Sequence, residues 1–388
     1  MALESALGSA NRTRASSSLT LRMKISRLNW PLVVMLSVIA ACGAAVLYSA
    51  GRGWTPWAQM HLIRFSAGVM MMLAVAMVDI RHWMRLAYPI YGLGLLLLVW
   101  VEIAGEIGMG AQRWIDLGFL QLQPSEIMKI ALVMVYARYY HAMNPARISH
   151  PVALLLPLAV LALPVALVMR QPDLGTALLL LAGAGGLMFL AGVSWVYFAS
   201  AIAGVAAALP VAWGFLLDYQ KNRVLTFLNP EQDPLGTGYH IMQSKIAFGS
   251  GGVFGKGYMQ GTQSHLDFLP EMQTDFIFTM FAEEMGMIGA LLLLFLFGMV
   301  IAYGYVIAMR VRHQFGRLVV LGVTLNFFLY VFINMAMVMG LIPVVGVPLP
   351  FVSYGGTAML TLLFGFGLVL SASVHRGVPI PEKTGFFF

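Results

Sequence analysis

Leu269-Pro-Glu-Met-Gln-Thr-Asp-Phe-Ile-Phe278 joins a long polar, glycine-rich segment to an apolar run that continues past Val300. The junction puts a carboxylate at the head of a membrane-crossing helix. Continued as a helix at about 100° per residue, it brings Asp275, Thr279, Ala282, Gly286 and Gly289 within about 40° of one line. That small-residue stripe, headed by an acid, lines a groove or packs against another helix. Glu283 and Glu284 follow roughly 12 to 14 Å further along, and carboxylates at membrane depth need a partner or a polar cavity. A plainer alternative has Thr274 capping the helix and Asp275 favoured by its positive N-terminal end.

Outward from this junction, composition sets the class. The chain has 388 residues, of which 60% are hydrophobic and 10% charged, against about 25% charged in soluble domains. With a mean hydropathy of +0.83 it reads as a polytopic membrane protein. Cys42 is its only cysteine and lies in an apolar run, which excludes a disulfide framework and a cysteine metal site. The net charge of +7 is spread over inter-helix segments rather than gathered with aromatics on one face, so no nucleic-acid partner is expected.

Residues 1–28 form a basic tail with Arg12, Arg14, Arg22, Lys24 and Arg27, followed by an apolar run too long for a signal-peptide core. Segments long enough to span recur at about 30–50, 60–79, 86–104, 124–140, 151–169, 174–192, 195–216, 276–309, 318–341 and 351–374. The expectation is an all-α, ten-helix membrane domain over 29–388, with a long outer loop at 217–275 between helices seven and eight. The cations favour cytoplasmic termini, fourteen inside against eight outside.

Four outer motifs carry chemistry. The first runs Gly110-Ala-Gln-Arg-Trp-Ile-Asp-Leu-Gly118 and then Gln123-Pro-Ser-Glu-Ile-Met-Lys129. Pro124 suits a first helical turn, and Glu126 and Lys129 would share a helix face. Lys129 then pairs with Glu126 or meets an anionic headgroup, while Trp114 suits an interface anchor. The second, Gln171-Pro-Asp-Leu-Gly-Thr176, reads as a turn and cap. The third is the long loop itself, with Arg223, Gln243-Ser-Lys245, and Gly249-Ser-Gly-Gly-Val-Phe-Gly-Lys-Gly257. Its glycines would let backbone amides approach an oxyanion, with Lys245 and Lys256 adding charge. No Walker spacing follows, so nucleotide use is not expected. The fourth spans Asn334 to Thr357, where Pro343, Pro348 and Pro350 forbid continuous helix. Irregular backbone at such depth must be buried in protein or line a wet cavity. Ser353 and Thr357 then open the last helix, either as an anion cradle or as a capped turn.

Taken in order, Gly-Ala-Gln-Arg-Trp-Ile, Gln-Pro-Ser-Glu-x-x-Lys, Gln-Pro-Asp-Leu-Gly-Thr, Asp-Pro-Leu-Gly-x-Gly-Tyr, Leu-Pro-Glu-x-x-Thr-Asp-Phe and Pro-Leu-Pro-x-Val-Ser-Tyr-Gly-Gly resemble the SEDS family of bacterial cell-wall proteins. The likeness covers about residues 30–375 and is nearer the family's elongation branch than its division branch. It implies a peptidoglycan glycosyltransferase of the bacterial inner membrane, with its site on the periplasmic side. Such an enzyme polymerises lipid II and releases undecaprenyl pyrophosphate, beside a class B penicillin-binding protein and other elongation-complex membrane proteins. The resemblance puts the catalytic aspartate on Asp275, as base toward an acceptor sugar hydroxyl. Substrate contacts are expected among Arg113, Trp114, Glu126, Lys129, Arg223, Gln243, Ser244, Lys245, Lys256, Gln263, Glu271, Thr274, Ser353 and Thr357. A divalent cation, Mg or Mn, is compatible with the diphosphate, with no ligand set assigned. Gln273 stands where family members commonly carry histidine. A lipid-carrier flippase and a non-catalytic scaffold are the alternative readings; only the polymerase makes glycan without a membrane to cross.

Overall fold

Each long apolar run of the sequence forms a helix in the structure, a computed structural model that describes residues 20–108, 111–116, 118, 121–215, 221–222, 225–227, 229, 237–262 and 272–380. A short helix α1 (Leu21–Ser26) precedes α2 (Trp30–Ala50), α3 (Gln59–Met77) and α4 (Ile80–Ala104). A small antiparallel sheet follows, ordered β1 (Glu106–Gly108), β2 (Ala111–Asp116), β3 (Gln121–Leu122). Then come α5 (Pro124–His141), α6 (Pro151–Arg170), α7 (Leu174–Ala191) and α8 (Trp195–Phe215). The last elements are α9 (Thr237–Ser250), α10 (Ile277–Arg310), α11 (Gln314–Val338) and α12 (Gly356–Val374). Eight helices among the described residues are long and apolar enough to cross a membrane. Two further long helices fill the remaining predicted segments: α5, which carries Glu126, Lys129 and Arg138, and α8.

The expected boundaries differ most from the observed ones at two helix starts. α4 starts at Ile80 rather than near 86, because the Asp79 carboxylate accepts the Arg81 amide at 2.9 Å and caps the helix. α12 starts at Gly356 rather than 351, because the prolines are followed by Phe351 at φ +60, outside helical backbone.

α5, α11 and α12 form the centre. α5 buries 15 of its 18 residues, and the Phe297, Phe327, Phe351 and Phe366 rings pack against one another across α10, α11, α12 and the preceding loop. Helix prolines at these depths each free a carbonyl four residues back. Pro89 frees that of Arg85, which accepts from Arg138 at 3.2 Å. Pro157 frees Ala153, which accepts the Tyr139 hydroxyl at 2.6 Å, and Pro164 frees Val160, which accepts Tyr91 at 2.8 Å.

α10 is broken. Gly286 has φ 68 and ψ −169, and the segment after α9 is laid into the gap. Carbonyls of Glu283 and Glu284 accept amides of Lys256 and Gly257 at 3.0 and 3.1 Å; beyond the break, amides of Met287 and Ile288 donate to Gly252 and Val253 at 2.9 and 3.2 Å. The small-residue stripe is therefore used for close backbone packing: a Cβ on Gly286 or Gly255 would run into the opposing main chain. At 34 residues α10 is about 51 Å long, and about 20 residues counted back from Arg310 suffice to span hydrocarbon. Glu283 and Glu284 thus sit near one end of the span rather than at its middle.

Two outcomes follow from this packing. Gly286→Ala forces an alanine into backbone that essentially only glycine adopts, and should cost about 1–3 kcal/mol in strain before any clash; a lowered unfolding midpoint in detergent checks it. At the end of the bundle away from Asp275 His313 caps α11, its Nδ1 accepting the Gly316 amide at 2.9 Å, and burial pushes its imidazole down to about 4. Burial also lowers His375. Since the folded value lies below the unfolded 6.5, this contribution is complete above about pH 6.5 and fades as pH falls toward 4. For His313 alone it amounts to at most roughly 3 kcal/mol. His313→Asn keeps a cap acceptor and should flatten that slope in pH-dependent unfolding.

Candidate active site

The site lies at one end of the bundle, where α3, α5, α7, α11 and α12 meet the sheet and the head of α10. Pro124 occupies the first turn of α5 after extended Gln123, and this aims Glu126 and Lys129 inward one turn apart. They pair at 2.7 Å with side chains 6% and 3% exposed. Tyr330 of α11 closes the set: its hydroxyl accepts from Lys129 and donates to Glu126, and the ammonium lies 4.4 Å from its ring centroid. Each buried charge in this triad is therefore matched.

Above this floor, β2 carries Arg113 and Trp114. Arg113 donates to the carbonyls of Gln171 at 3.0 Å and Pro172 at 2.5 Å, and lies 3.9 Å from Asp173. Asp173 caps α7, accepting the Thr176 amide and hydroxyl at 3.1 and 2.8 Å, and also accepts from Gln123 at 3.3 Å. The motif read as a turn and cap is a cap, and it also locks β2 to α5.

Asp275 sits in the turn before α10, with Phe276 at the N-cap. Three successive carbonyls are gripped here. Gln273 accepts the Tyr354 amide at 2.8 Å, Thr274 the Ser353 hydroxyl at 2.6 Å, and Asp275 the Asn334 amide at 3.0 Å. Asn334 also donates to Val347 at 2.7 Å, and the Ser353 oxygen accepts the Leu349 amide at 2.7 Å. The irregular stretch before α12 is thus bonded into the protein at Val347 and Leu349, while Gly346, Val347 and Pro348 line the cavity. A Cβ on Gly346, at φ +71, would lie 3.5 Å from the Asp275 carboxylate.

These groups line one cavity of about 630 Å³ with Arg64, Asp116, Gln273 and the α12 N-terminus at Gly356 and Thr357. Arg64 reaches from α3 over the Tyr354 ring, 4.8 Å from its centroid, and would meet a Cβ on Gly356 at 3.1 Å. The first turn of α12 has no side-chain cap bond, and Thr357 ties it to the Gln121 carbonyl at 2.6 Å. Among the described residues no three His, Cys, Asp or Glu side chains are grouped to hold a metal ion.

Of the residues expected from sequence, Asp275, Thr274, Arg113, Trp114, Glu126, Lys129 and Thr357 line the cavity together. Ser353 is the buried clamp on Thr274. Ser244 is buried between α9, α10 and α11, bonded to Thr279 at 2.8 Å and to the Val338 carbonyl at 3.1 Å. Lys256 pairs with Glu283 at 2.7 Å and bonds Thr262 at 2.6 Å. The glycine run's amides at Lys256 and Gly257 are used in the α10 break, which replaces the expected anion cradle. Gln243 and Lys245 lie on α9, Lys245 against Gly340. Arg223, Gln263 and Glu271 lie outside the described residues. Arg64, Tyr330 and Asn334 were missed; the one arginine of α3 and an asparagine in the mostly apolar α11 were the available signals.

Residues 23–377 match the family described as FTSW_RODA_SPOVE, cell cycle protein. The chain is 44% identical over 348 residues to the peptidoglycan glycosyltransferase MrdB of Escherichia coli K12, covering 89% of this chain and 93% of that one. It superposes on a chain from a solved peptidoglycan synthase complex that coordinates polymerization and crosslinking, at TM-score 0.78 and 32% identity over 91% of this chain and 99% of that one. It also superposes on the rod shape determining protein RodA of Thermus thermophilus, at TM-score 0.69 and 27% identity over 90% and 98%.

The floor triad makes a stability prediction. Lys129→Met alone leaves Glu126 buried beside Tyr330 without its cation and should cost about 3–5 kcal/mol, whereas Glu126→Gln with Lys129→Met should restore most of that loss. Unfolding midpoints of the single and double variants in one detergent check the difference.

Proposed function

The chain belongs to the FtsW/RodA/SpoVE family of cell cycle proteins, and from that premise we propose how this multi-pass membrane protein works as a peptidoglycan glycosyltransferase. The observation that carries the mechanism is that Asp275 shares one cavity with Arg64, Arg113 and the uncapped start of α12. Asp275 takes the proton from the 4-hydroxyl of an acceptor GlcNAc as that oxygen attacks the anomeric carbon of a donor MurNAc on lipid II. The carbon–oxygen bond to undecaprenyl pyrophosphate breaks, and the diphosphate leaves with the electron pair. Arg64, Arg113 and the amides of Gly356 and Thr357 face that leaving group, which then needs little general-acid help.

The chain crosses the bacterial inner membrane ten times, with the cavity open to the periplasmic side, and acts in cell elongation. A class B penicillin-binding protein is its partner, a reading supported by the likeness to a synthase complex that couples polymerization to crosslinking. A divalent ion brought with the substrate would supply counter-charge to the diphosphate; what this chain contributes is the surrounding charge.

The wet cavity and broken helices also suit a lipid-carrier flippase. Purified protein with its partner, given lipid II in detergent, separates the two, since only a polymerase yields glycan strands with no membrane to cross. Asp275→Asn keeps the shape and the grip on the three carbonyls but not proton acceptance, and should slow polymerisation by on the order of 10²–10⁴-fold. Polymerisation at the wild-type rate by that variant would remove Asp275 from the chemistry.

A further inference from the structure

The segment laid into the α10 break has an apolar outer surface that the reaction leaves unused. Val253 is 47% exposed, Phe254 81%, Tyr258 41% and Met259 40%. Immediately below, on α10, Met287, Ile288, Leu291 and Leu292 are exposed too, and they begin the lipid-facing surface of that helix. On the other side the Tyr258 hydroxyl donates to the Ala45 carbonyl at 2.8 Å. Ala45 lies on the exposed stripe of α2 that includes Val34 and Val38. The segment therefore lies against two lipid-facing helices about 8 Å below the end of α2, counting five residues from Ala50.

We propose that residues 251–259 form a re-entrant wedge whose tip, Val253, Phe254, Tyr258 and Met259, is immersed in the acyl chains of the outer leaflet. Three observations favour lipid over water as the occupant. The exposed side chains are aromatic and aliphatic, and they are continuous with the bilayer-facing surfaces of α2 and α10. Backbone groups of the segment are paired within the protein, which favours hydrocarbon: the Gly255 amide donates to Gly251 at 2.8 Å, those of Lys256 and Gly257 donate to α10, and the Gly252 and Val253 carbonyls accept from α10. The charges face inward, Lys256 to Glu283, whose side chain is fully buried and also accepts the Thr262 amide at 2.9 Å. The wedge thereby sets the depth of Thr262, from which the chain runs toward Asp275, relative to the leaflet that would hold a lipid-linked substrate.

The proposal rests on this end of the bundle being the outer one, and the experiment tests that separately. In a Cys42→Ala background, Phe254→Cys is labelled with an environment-sensitive fluorophore in nanodiscs, and quenching is compared between a lipid nitroxide near the top of the acyl chain and aqueous iodide. Leu292→Cys is the lipid-embedded control and Arg52→Cys the aqueous one. Position 254 should follow Leu292, with lipid quenching several-fold stronger than iodide quenching. Iodide quenching equal to that at Arg52 overturns the proposal, as does protection from both quenchers, which would place protein over the tip. If Arg52→Cys in intact spheroplasts resists an impermeant thiol reagent, the sidedness is wrong, whatever the nanodisc result.

Discussion

A backbone carbonyl or amide left unpaired in hydrocarbon costs several kcal/mol, and in this protein nearly every departure from regular helix is answered by a specific donor or acceptor. The carbonyls freed by Pro89, Pro157 and Pro164 go to Arg138, Tyr139 and Tyr91. The break at Gly286 is matched bond for bond by the segment after α9. The non-helical stretch before α12 is matched by Asn334 and Ser353. Those last two residues also take the carbonyls of Asp275 and Thr274. The requirement that tolerates irregular backbone here is thus the same one that fixes the main chain of the acid.

Charge in the cavity divides into two kinds. Glu126, Lys129 and Tyr330 form a closed set, and any anion recruiting Lys129 would have to displace a carboxylate at 2.7 Å in a buried site. Arg113 is spread over two carbonyls and a longer approach to Asp173. Arg64 lies against a ring face. A diphosphate brings its own negative charge, so it is held most cheaply by cations whose partners are carbonyls or π-clouds rather than full charges. On this reading the triad is a rigid floor, and the leaving group is gripped from the rim.

The long helices were legible in the sequence because each needs about 20 apolar residues, whereas α9 lies within the segment expected as loop. Pro124 and Asp173 announced their helix starts through local chemistry alone, and the structure uses both that way. The role of the glycine-rich run was not legible. Gly251 to Gly257 satisfies an anion cradle and a helix-break insert equally, and the choice depends on Gly286, some thirty residues on, whose φ of 68 no local pattern discloses. Tyr330 and Asn334 were hidden for a related reason. Each sits in an apolar helix where one polar side chain reads as packing, until the tertiary fold brings a buried lysine or an irregular carbonyl against it.

That division bears on how the site is assembled. The side chains within α5, α11 and α12 are largely committed to packing, so reactive groups can converge only at helix ends and on the connecting backbone. Asp275 is the extreme case. Its helix is broken between it and the membrane-crossing portion, so the rigidity of α10 below Gly286 does not by itself hold the acid in place. What holds it is lateral: the clamp of Asn334, Ser353 and Tyr354 on the carbonyls of Asp275, Thr274 and Gln273.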